Sequence, residues 1–65
     1  VTTQTRKLYP ELQHAEDEIG LTRACIERSI DRDSLVAARH RVAAARLCID
    51  RAQSILDTMI EEAGS

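Results

Sequence analysis

Two apolar stripes, one in each half of the chain, constrain what it can fold into more than any other feature. Leu8, Leu12, Ala15, Ile19, Thr22, Ile26 and Ser29 advance by alternating steps of four and three. Leu35, Ala38, Val42, Ala45, Ile49, Ala52, Leu56, Met59 and Ala63 do the same. Residues spaced this way line one side of an α-helix. Folding the chain back at Asp31 to Asp33 sets Ile26 on Ala38, Thr22 on Val42, Ile19 on Ala45, Ala15 on Ile49 and Leu12 on Ala52. Each layer then pairs a large side chain with a small one, and the expected fold is an all-α, antiparallel two-helix hairpin.

The 65 residues form one hairpin domain, 1–65. Pro10 and Glu11 fit a first helical turn, because proline tolerates that position and an acid favours the positive end of the helix dipole. Helix one is therefore expected over residues 9–31, with residues 1 to 8 frayed or in a separate turn. Asp31, Asp33 and Ser34 offer N-cap side chains at a tight turn over 31–34, and Arg28 and Arg32 suit the closing end of helix one. Helix two is expected over 34–63, with Gly64 as a left-handed stop. Gly20 lies on the outer side of the first stripe.

A hairpin of this size buries only about 60% of its unfolded surface, so it calls for further support. Tyr9, Cys25 and Ile30 flank the first stripe, and Cys48, Ile55 and Ile60 flank the second. Helix two is apolar around much of its girth, with Val36, Ala37, Ala43, Ala44 and Leu47 off the main stripe, which marks a helix with more than one neighbour. Cys25, Ile30, Val36, Leu47, Cys48, Ile55 and Ile60 are accordingly read as a surface for partner helices. Glu11, Glu16 and Glu18 flank the start of helix one, and Arg39, Arg41 and Arg46 the start of helix two. In a simple hairpin these groups are expected at opposite ends, unable to neutralise one another within the chain. Two hairpins with their loops at opposite ends would bring them together in a homodimeric four-helix bundle. Glu11, Glu18, Arg39, Arg41 and Arg46 are thus read as charges that orient the partner.

Little else in the chain carries chemistry. Cys25 and Cys48 stand about nine residues apart along the proposed register, roughly 13 Å, beyond disulfide reach. Glu11 and His14 have the Glu-x-x-His spacing of di-metal bundles but do not converge, and helix two has no matching motif. No nucleophile and base converge, there is no glycine-rich phosphate loop, and neither enzyme activity nor a cofactor is expected. The net charge of −2 gives no reason for non-specific nucleic-acid binding. Arg23, Arg28, Arg32, Arg39, Arg41, Arg46 and Arg51 could still form a basic strip that follows phosphates, interrupted by Glu27, Asp31, Asp33 and Asp50. Tyr9 is the sole aromatic residue, so platforms for base stacking are missing. Neither a secretory signal nor an apolar run of membrane-spanning length is evident, and a cytoplasmic location is expected.

The alternation of large and small layers resembles the Rop family, homodimeric four-helix bundles that recognise paired RNA loops. That resemblance implies an RNA- or DNA-binding regulator. The stretch Ala45-Arg46-Leu47-Cys48-Ile49-Asp50-Arg51-Ala52-Gln53-Ser54-Ile55-Leu56 is similar to the second helix of small co-chaperones of type III secretion needle subunits. This second resemblance implies a hairpin docked on a larger tetratricopeptide-type helical chaperone. From the residues themselves, the expected activity is association between helices, either with a second copy or with another protein.

Overall fold

The computed structural model describes residues 3–64, and these form two helices packed antiparallel. Helix α1 spans Thr3–Arg28 and helix α2 spans Arg32–Gly64. The three residues between them, Ser29, Ile30 and Asp31, make the turn. The hairpin is a rod 51 Å long, 16 Å wide and 11 Å thick.

Asp31 sets where α2 begins. Its Oδ1 accepts a hydrogen bond from the Ser34 backbone N–H at 2.8 Å, and its Oδ2 accepts one from the Ser29 hydroxyl at 3.0 Å. Its own carbonyl accepts the first α2 hydrogen bond, from Leu35 N–H at 3.0 Å. One residue thus satisfies an otherwise unpaired donor of α2 and ties it to the end of α1.

Helix α1 begins earlier than the proline implied. It starts at Thr3 and carries Pro10 in its interior, although proline removes a backbone donor there and strains the preceding turn. Tertiary packing offsets that cost, since Leu8 is buried and Gln4 and Thr5 are half-buried. Of the segment expected to fray, residues 1 and 2 lie outside the described residues. Gly64 is the last described residue of α2, and no described residue adopts a left-handed conformation, so the expected left-handed stop is absent there.

The packing seam is rotated from the apolar stripes. Buried along it are Leu8 and Ala15 on α1, and Ala38, Ala45, Cys48 and Ala52 on α2. Glu11, Glu18, Thr22 and Cys25 are half-buried on α1, Ser29 in the turn, and Ser34, Ile55 and Met59 on α2. The seam keeps the shared positions 8, 15, 22 and 29 but takes 11, 18 and 25 in place of 12, 19 and 26. On α2 it takes 34, 48 and 55 in place of 35, 49 and 56. This rotates each helix by about 50° from the orientation its apolar stripe would choose. The expected pairing of large with small gives way to small residues on both helices around Ala15, Cys25, Ala38 and Cys48, with the larger Leu8 and Ile55 toward the open end.

Candidate functional site

Rotation of the seam creates an outer apolar face. Leu12, Ile19 and Ile26 of α1 and Leu35, Val42, Ile49 and Leu56 of α2 are 41 to 52% exposed. All but Leu35 sit four residues after a seam position, and Leu35 continues the α2 row one heptad before Val42. In two antiparallel helices that share a seam, this offset turns both rows to the same side of the hairpin. They form one continuous aliphatic surface along the rod, with Ile60, 69% exposed, extending it at the open end.

The surface expected from the sequence is distributed differently. Cys48 is buried in the seam, and Cys25 and Ile55 are half-buried in it, so these three hold the hairpin together and form no outer patch. Both cysteines are free thiols. Val36 is half-buried near the turn, and Ile30 is exposed at the tip. Leu47 is exposed on the side away from the aliphatic face. Sequence reasoning identified the seven outer-face residues as apolar and assigned them to the wrong contact. The missed signal was the small or polar residue preceding six of the seven: Glu11, Glu18, Cys25, Ser34, Arg41 and Cys48.

Two acids expected to await a partner find one within the chain. Glu18 Oε2 lies 3.4 Å from Arg41 Nη1, and Glu11 Oε2 lies 3.6 Å from Arg51 Nη1. The supposed separation of acidic and basic groups fails because Glu18 and Arg41 both sit near the middle of the rod, one helical turn off level, within arginine's reach. Glu11 Oε2 is buried and accepts no hydrogen bond, its separation from Arg51 being too long for one. Both ion pairs draw arginines from the basic strip into the hairpin. Arg39 and Arg46 are exposed beside the outer face.

On the opposite side, His14, Asp17, Glu18, Leu21, Ala44 and Cys48 line a shallow groove open to solvent. Among the described residues, no group of three or more histidines, cysteines or acids is placed to hold a metal ion. No described helix is long and apolar enough to cross a membrane. No family model, curated protein or solved structure matches the chain.

Proposed function

We propose that this chain is a non-enzymatic helix-association module whose working surface is the outer face of Leu12, Ile19, Ile26, Leu35, Val42, Ile49 and Leu56. The observation that carries this reading is a division of labour between side chains. Alanines hold the hairpin together, while seven large aliphatic side chains remain about half exposed on one side. A soluble monomer rarely presents a continuous apolar surface of this length, and such surfaces mark contact with another protein. The natural complement to a ridged two-helix face is another pair of helices, which can insert side chains between its rows.

Nucleic-acid binding is the weaker alternative, because Arg41 and Arg51 are engaged with acids of the same hairpin. Docking on a larger helical chaperone, as the co-chaperone resemblance implies, would use the same apolar face.

Lysine substitutions test the assignment. Ile49→Lys on the outer face is expected to change sedimentation behaviour and to reduce binding of a fluorescent apolar dye. Leu47→Lys, on the other side of α2, is expected to change neither. Equal effects of the two substitutions, or no effect of Ile49→Lys on either readout, would show that the outer face is not a binding surface.

A further inference from the structure

We infer that the occupant of the outer face is a second copy of this chain, related by a two-fold axis that places the two turns at opposite ends of a four-helix bundle. The inference rests on the helix-association reading above and adds the partner and its orientation.

The first argument is symmetry along the rod. The heptad register sets Cys25 level with Ala38, Ala15 level with Cys48 and Leu8 level with Ile55, in agreement with the burial of these positions. The outer row of α1 is centred on Ile19, and that of α2 lies midway between Val42 and Ile49. In this register the two centres fall at the same height, within about one to two residues. A two-fold axis crossing the rod between those two heights maps each row onto itself to within about one to two residues. Leu12 then comes within that offset of the level of Ile26 of the second copy, as do Leu35 and its Leu56, and Val42 and its Ile49.

Charge chooses this orientation over the other symmetric one. Glu16 and Arg23 are exposed on α1 just beyond the outer row. With the turns at opposite ends, Glu16 comes within about three residues of the level of Arg23 of the second copy, about 4 Å along the rod and within an arginine's reach, and symmetry forms this pair twice. Only Arg46 meets its own copy, with Asp50 one turn along the same helix. With the turns at the same end, Glu16 would meet Arg46, but Arg23 would meet Arg39 twice, and Leu56 would face the polar level of Thr5.

Length suits this occupant as well. The apolar row of α2 from Leu35 to Ile60 runs for about 38 Å, so two copies can stay in contact over most of the 51 Å rod.

Sedimentation equilibrium of the full chain over a range of concentrations, with circular dichroism as a check on folding, tests the inference. A dimer is expected, with Glu16→Arg and Arg23→Glu each weakening it by roughly tenfold at low salt and the double variant restoring it. If Glu16→Arg were instead rescued by Arg46→Glu, the opposite-end orientation would be overturned while association through this face survived. A monomer that binds apolar dye would overturn the second copy as occupant and leave the helix-association reading standing. A folded monomer that binds no dye would overturn both.

Discussion

Glu18 and Arg41 stand 23 residues apart in sequence, yet their side chains meet at 3.4 Å across the hairpin. The arginine side chain is 47% exposed and the glutamate 22%, so solvent and salt screen much of the attraction. Breaking the pair with Arg41→Ala is expected to lower unfolding free energy by no more than about 1 kcal/mol. Chemical denaturation at low and high salt measures this, and the deficit should shrink at high salt.

The Asp31 carboxylate is held below its usual value of 3.8, first by the hydrogen bond from the Ser34 backbone and then by that from the Ser29 hydroxyl. A depressed folded-state value means that the cap stabilises the hairpin fully above about pH 3.8. Its contribution disappears as pH falls through the folded value. Thermal unfolding of Asp31→Ala should therefore show a lower midpoint than the parent chain at neutral pH, and the two curves should converge under strong acid.

Ala45 is 4% exposed at the middle of the seam. Replacement by leucine inserts a side chain where the backbones approach, and overpacking of this kind costs roughly 1 to 3 kcal/mol. Ala45→Leu is expected to lose stability by that amount in a denaturant titration, whereas Ala43→Leu, at an exposed position of the same helix, should not.

A methyl group added at Gly20 would meet nothing within 4 Å. Since glycine within a helix costs about 1 kcal/mol relative to alanine, Gly20→Ala should stabilise α1 by that amount. Helical circular dichroism and the thermal midpoint should both rise, with the association state unchanged.

The hairpin was legible in the sequence because heptad spacing is a local signal, whereas helix one was expected to reach residue 31 and the turn to occupy 31–34, and the structure ends α1 at Arg28 and turns over Ser29 to Asp31. Orientation about each helix axis was harder to read. A position such as Ala15 has neighbours three and four residues away, Glu18 and Ile19, and hydrophobicity favours Ile19 for burial. The hairpin buries the Glu18 side instead, because Cys48, Ala45 and Ala52 leave room for close approach and Arg41 satisfies the carboxylate. Whether a stripe serves its own hairpin or another molecule depends on such packing distances, which side-chain polarity alone does not encode. Pro10 misled for a related reason, since contacts made by Leu8 outweigh the local preference to start a helix at proline.

The three-residue link between α1 and α2 also sets the order in which the structure can assemble. Contacts near the tip, such as that of Ser29 with Asp31, close loops of only a few residues, whereas those at the open end, around Leu8 and Ile55, span most of the chain. Loop closure penalises distant contacts more, so a hairpin of this topology zips from the turn toward its free ends. Helix pairing within one chain is then a fast step independent of concentration. Burial of the outer face against another molecule is a slower encounter whose rate rises with protein concentration, which gives the two apolar surfaces of this chain separate places in time.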